Sequence, residues 1–166
     1  MRNGQHAFLF ILFILVSASC TRAISNTEKI DARIKRAIDS WVDPKSFDSC
    51  ITGFKLLVDA VIIAVPETGF PAEFKENMSK AKKLFNSSSV LNPQGFALLN
   101  DSYRMINSGK DFQMPADLSN SDDVLKFASQ RAEMARKHLK QGQTRECVKI
   151  LLEIVILYVT PVKTVS

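Results

Sequence analysis

The chain has 166 residues, is 46% hydrophobic and carries a formal net charge of +5. That length and apolar content suit one domain with one core. The mild positive charge, with no long basic block, is far from the footprint of a dedicated nucleic-acid binder.

The N-terminus is the first element with a clear signature. Arg2 precedes an unbroken apolar run from Ala7 to Val16, followed by the small residues Ser17-Ala18-Ser19. A charged start, an apolar stretch and a cleavage zone spell a secretory signal. The run is about half of the roughly 20 residues a spanning helix needs, so a membrane anchor is disfavoured. Cleavage fits after Ser19 or after Ala23. The second cut is preferred because it discards Cys20 and leaves an even cysteine count. The expected organisation is a signal over 1–23 and a secreted helical domain over 24–166. Removal of Arg2 and Arg22 lowers the charge to +3.

Helix dominates the remainder, with Pro and Gly as punctuation. The first helix is expected from about Asn26 to Trp41, with Ile30, Ile34, Ile38 and Trp41 on one face. Asp43-Pro44 opens a second, with Pro in the first turn where its missing N–H costs nothing. It carries Phe47, Cys50, Phe54, Leu57, Val58, Val61 and Ile62 and stops at Val65-Pro66. A third spans about Ala72 to Phe85. The fourth runs from about Pro93 to Asn107, and Gly109 suits a left-handed cap. The fifth opens with Asp122 and Asp123 and closes with Arg136, Lys137 and Lys140, both favourable to the helix dipole. Gly142 ends it.

The last helix, Cys147 to Val159, is apolar nearly all round, with a narrow stripe of Arg145, Lys149, Glu153 and Thr160. The second has a similar stripe: Asp48, Thr52, Lys55 and Asp59. Helices with so little polar face belong inside a bundle. The fold expected is therefore all-α: a single-domain bundle of about five or six helices with the second and last central. Glu153 interrupts the final apolar run and Lys163 follows it, so a buried core helix accounts for it better than a lipid-anchor tail.

In an oxidising compartment, Cys50 and Cys147 are expected to pair. The chain-entropy model gives such a loop about 4.7 kcal/mol of stabilisation at most. Both cysteines sit near N-terminal helix ends, so a bridge predicts that the second and last helices run side by side in roughly the same direction, or cross there. It forbids a simple antiparallel pairing.

Chemistry-bearing motifs are sparse. With His6 lost to the signal, His138 remains, between Lys137 and Lys140 at a helix end; a role in the helix dipole outweighs one as a base. No catalytic residue, metal site or cofactor is expected, since a metal needs several close ligands and the glycines Gly53, Gly69, Gly95, Gly109 and Gly142 are isolated. Asp122 and Asp123 suit a helix's first turn better than an acid–base pair. Asp59 and Glu153 each have a lysine four residues earlier, which predicts solvated ion pairs. Lys75, Lys80, Lys82 and Lys83 on the third helix, and Arg131, Arg136, Lys137 and Lys140 on the fifth, could meet an anionic surface, although an ordinary charged helix face explains them. The sequons at Asn77, Asn86 and Asn100 are candidate N-glycosylation sites; Asn86 is the best placed, in a serine-rich loop.

The layout, with signal, length and all-helical pattern, is similar to secreted plant inhibitors of invertase and pectin methylesterase. That family staples its N-terminal hairpin with a close cysteine pair, which this chain lacks. The likeness covers architecture and carries over no residue. The function expected is that of a non-catalytic extracellular protein that binds another protein, as inhibitor or signalling ligand. The alternative is a carrier of a small apolar ligand, with Phe54, Phe96 and Phe127 as candidate cavity walls. Neither nucleic acid nor a stable membrane anchor is expected.

Overall fold

The computed structural model describes residues 24–42, 47–87, 92–115, 118 and 121–159. The expected signal over 1–23, the opening of the second helix at Asp43-Pro44 and the tail with Lys163 lie outside the described residues. Six α-helices follow one another: α1 (Asn26–Val42), α2 (Phe47–Ala64), α3 (Ala72–Ser87), α4 (Pro93–Ile106), α5 (Ser121–Lys140) and α6 (Thr144–Val159), with a 3-10 turn at Val65–Glu67 after α2. No strand occurs among the described residues. The chain is an all-α bundle.

Local signals account for the helix ends. The Ser25 hydroxyl accepts from the Glu28 N–H at 3.1 Å, and the Glu28 carboxylate accepts from the Ser25 N–H at 2.8 Å. This reciprocal box satisfies two otherwise orphaned donors. The Asn92 side chain accepts from the Gln94 and Gly95 N–H groups, both at 3.0 Å, and Pro93 takes the first turn. Gly109 and Gly142 adopt φ of 77° and 74°, the left-handed conformation that lets α4 and α5 stop.

Each helix buries the face its periodicity implies. Ile30, Ile34, Ala37, Ile38 and Trp41 of α1 pack inward, as do Val124, Ala128, Ala132, Ala135 and Leu139 of α5. α6 is buried on nearly every side, from Cys147 to Val159, and α2, α4 and α5 surround it. α1 closes over α2 and α5, and α3 pairs with α4. The segment Asp48–Glu67 is long and apolar enough to cross a membrane by length and composition, and half of it is buried within the bundle.

The direction of α2 against α6 differs from the sequence expectation. Phe54, in the first half of α2, stacks on Tyr158, near the end of α6, with ring centroids 5.5 Å apart. At the opposite end, the turn after α2 packs against α6, and the Arg145 guanidinium sits 4.7 Å over the Phe70 ring. The two helices are antiparallel.

That geometry removes the expected disulfide. Cys50 meets the phenol of Tyr158, whereas Cys147 lies at the other end of α6, about 16 Å of helix rise away. A disulfide requires Cα atoms within about 7 Å. Cys50 and Cys147 are instead two free, buried thiols. Burial, with a smaller contribution from the Asp31 carboxylate, pushes the Cys147 thiol up to about 12. The inference failed because both residues open a helix, and that says nothing about which way each helix points.

Candidate functional site

The polar stripe of α6 is only partly covered: Arg145 is exposed, whereas Lys149 and Glu153 are half-buried. Lys149 and Glu153 form part of the floor of a cleft of about 580 Å³. One wall is α4, through Tyr103 and Ile106. A second is α5, through Phe127 and Arg131. The strap from Asn107 to Pro115 forms the rim, with Lys110, Asp111 and Phe112.

The strap holds its shape by specific contacts. Gly109 N–H donates to the Arg104 carbonyl at 2.9 Å. The Arg104 guanidinium donates to the Asp111 carboxylate at 2.5 Å, tying the strap to α4. Ser108 has φ of 55°, a left-handed conformation uncommon outside glycine, at the cleft's rim. Phe112 then meets Tyr103 edge to face, with centroids 5.7 Å apart. Tyr103, Phe112 and Phe127 are all half-buried; Tyr103 and Phe112 pack against the core as well, and all three line the cleft.

Charges line the same cleft. Arg131 of α5 bonds Glu153 of α6, and both side chains are about three-quarters buried, at 27% and 25% exposure. Arg131 Nε is shielded from solvent and has no acceptor among the described residues. Lys149 Nζ donates to Glu146 at 3.0 Å. Burial raises the Tyr103 phenol above its ordinary value, and the Glu153 carboxylate adds to this against Arg131. Tyr103 is therefore a neutral hydroxyl that can donate or accept.

The residues singled out in the sequence are scattered. His138 sits in the last turn of α5 with Nδ1 against the Gln143 amide. Asp122 and Asp123 occupy the first turn of α5. Asp59 pairs with Lys82 of α3 at 2.7 Å rather than with Lys55, and Glu153 pairs across helices rather than with Lys149. The basic clusters are drawn apart too: Lys80 bonds Glu76 at 2.7 Å and Arg136 bonds Asp31 at 2.7 Å. Among the sequons, Asn86 is exposed near the end of α3, Asn77 is buried at 8% exposure, and the Asn100 amide bonds the Phe96 carbonyl. Among the described residues, no group of three or more metal-ligating side chains comes together.

No family model, curated protein or solved structure matches the chain. The likeness in layout to the plant inhibitors therefore gains no support from known proteins. The reading of the cleft rests on its own geometry. Arg131, Lys149, Glu153 and Phe127 were visible in the sequence, but in other roles. Lys110, Tyr103 and Phe112 were not recognised as parts of one site. An aromatic residue inside a polar Gly- and Pro-bounded loop, opposite a polar stripe on an otherwise buried helix, is the signal that could have joined them.

Proposed function

We propose that this protein acts outside the cell by binding another protein, as an inhibitor or signalling ligand, and that the partner docks at the cleft between α4, α5 and α6. One observation carries the reading: three half-buried aromatic side chains and a cross-helix ion pair converge on one open concavity. Aromatic anchors beside arginine are the composition that dominates binding energy at protein interfaces. Secretion rests on the N-terminal signature at 1–23. The carrier reading draws less support, because Phe54 is 1% exposed and packed between Phe85 and Tyr158, at 5.3 and 5.5 Å.

A photo-cross-linking residue placed at Phe112 tests the docking reading. Incubated with the native extracellular fluid and irradiated, this variant should give a discrete adduct that excess unlabelled protein suppresses. The same group placed at Lys83 on α3 should not. Equal labelling from both positions, or no suppressible adduct from Phe112, overturns the reading.

A further inference from the structure

α4 and α5 each pack on α6 rather than on one another, so the strap from Asn107 to Pro115 supplies the remaining wall of the cleft between them. The root of the strap is firm. The Asn107 N–H donates to the Tyr103 and Arg104 carbonyls, the Gly109 N–H to that of Arg104, and the Lys110 N–H to that of Asn107 at 3.1 Å. Beyond Lys110 the strap makes no backbone hydrogen bond among the described residues. Two side-chain attachments set its position there. The Asp111 carboxylate meets the Arg104 guanidinium, and the Phe112 ring lies against Tyr103 and the core.

These attachments differ in kind. Arg104 and Asp111 are both exposed, and Arg104 also has Asp101 at 3.7 Å; an ion pair in that setting is weak and is screened by salt. Phe112 is half-buried, and lifting it uncovers Tyr103 and removes one wall of the cleft. A segment without backbone bonds and with one weak polar tie opens at a cost far below that of global unfolding, which is where binding-site lids are found.

From this, and resting on the docking reading above, we infer that the strap is a gate for the cleft and that the Arg104–Asp111 ion pair is its latch. With the latch shut, Phe112 stands on Tyr103 and lines the cleft with it and Phe127. With the latch broken, residues 111–115 lift from α4 and carry Phe112 away. Arg104 is a positioning residue: it lies outside the lining and acts through the strap. Latching and docking are reciprocal. A partner that binds the shut form draws the strap down, and its apparent affinity is reduced by the fraction of molecules that stand open. Because the latch is an exposed ion pair, added salt opens the gate.

Relaxation-dispersion NMR at the Phe112 and Gln113 amides tests the latch, since it reads the population of the lifted form. Asp111→Ala and Arg104→Gln should each raise that population about two- to fivefold, the worth of an exposed ion pair. The double variant should be no more open than either single one, because the same tie is lost once. Asp111→Glu, which keeps the charge, should stay near wild type. The denaturant midpoint read by Trp41 should be unchanged in all four, which separates a gate from a general loss of stability. Additive opening, absence of exchange at the strap in every variant, equal opening in Asp111→Glu and Asp111→Ala, or a midpoint that falls in parallel overturns the latch. A photo-cross-linking residue at Lys110, on the firm root, then reads docking. Its suppressible adduct from the native extracellular fluid should weaken in the Asp111→Ala background and be kept in Asp111→Glu. Equal adduct in both backgrounds overturns the gate while leaving docking at the cleft intact, whereas the docking reading itself falls only if no suppressible adduct forms from Phe112 in the otherwise unaltered protein.

Discussion

Gly53 shows how a single residue's environment can reverse its local propensity. A glycine inside a helix costs about 1 kcal/mol relative to alanine, so propensity alone makes Gly53→Ala a stabilising change. The tertiary surroundings dictate the reverse. A Cβ at this position would collide with the Ser40 hydroxyl and the indole of Trp41, which is buried and donates to the Cys50 carbonyl at 3.3 Å. Gly53→Ala should therefore destabilise the fold by about 1–3 kcal/mol, as overpacking does. Denaturant unfolding followed by fluorescence of Trp41, the single tryptophan, measures it, and a gain in stability would refute the close approach. Gly95 is in the same position against the Phe85 ring. Neither role was legible in the sequence, where both glycines stand isolated; only the neighbouring helix explains them.

Between elements, ion pairs connect helices that the sequence pairs along one helix. Asp31 of α1 receives two bonds from Arg136 of α5, at 2.7 and 3.2 Å, and Glu133 braces the same guanidinium. The Arg136 bond, opposed by burial and helped by the charges of Arg136, Lys140 and Lys35, holds the Asp31 carboxyl below its ordinary 3.8. A depressed carboxylate lends stability that is complete above its unfolded value and disappears as pH falls through its folded value. Wild type should thus lose this contribution below about pH 4, and Asp31→Asn should lack it already at neutral pH. At pH 7 the variant should be less stable by about 1–2 kcal/mol, a figure kept modest because the pair is partly solvated. Urea unfolding of both proteins from pH 7 to pH 2 should show the two stability curves converging in acid; a constant gap would contradict the assignment. Helix boundaries and buried faces were legible here, because they depend on periodicity and caps. Partners across helices were not, because several acids and bases on each polar face could satisfy the same charge rule.

For the molecule as a whole, the antiparallel arrangement of α2 and α6 makes the bundle independent of any cross-link. Cys147 is fully buried and Cys50 nearly so, so both thiols are shielded from oxidants and reagents. A reducing agent should leave the melting temperature unchanged. A thiol reagent should modify Cys50 and Cys147 only as the fold opens, at the same denaturant concentration that alters Trp41 fluorescence. Mass loss of a disulfide in the native protein would contradict the geometry. The all-α class and the central position of α6 were legible from its nearly continuous apolar surface. The relative direction of the two helices was not, since a pair of cysteines at helix starts is equally compatible with either. The cleft lay between these extremes: its floor is written in the polar stripe of α6, but its rim depends on where an irregular strap returns over α4.

The near-complete enclosure of α6 also has a temporal side. Translation delivers α1 to α5 first, and every one of the faces destined to meet α6 must wait, uncovered, for the last helix to be made. Domains normally consolidate as they emerge, but here the central column is supplied after its surroundings. The faces of α2, α4 and α5 that meet α6 therefore lack their partner until α6 emerges, and a chain ending before α6 would leave them as exposed apolar surface.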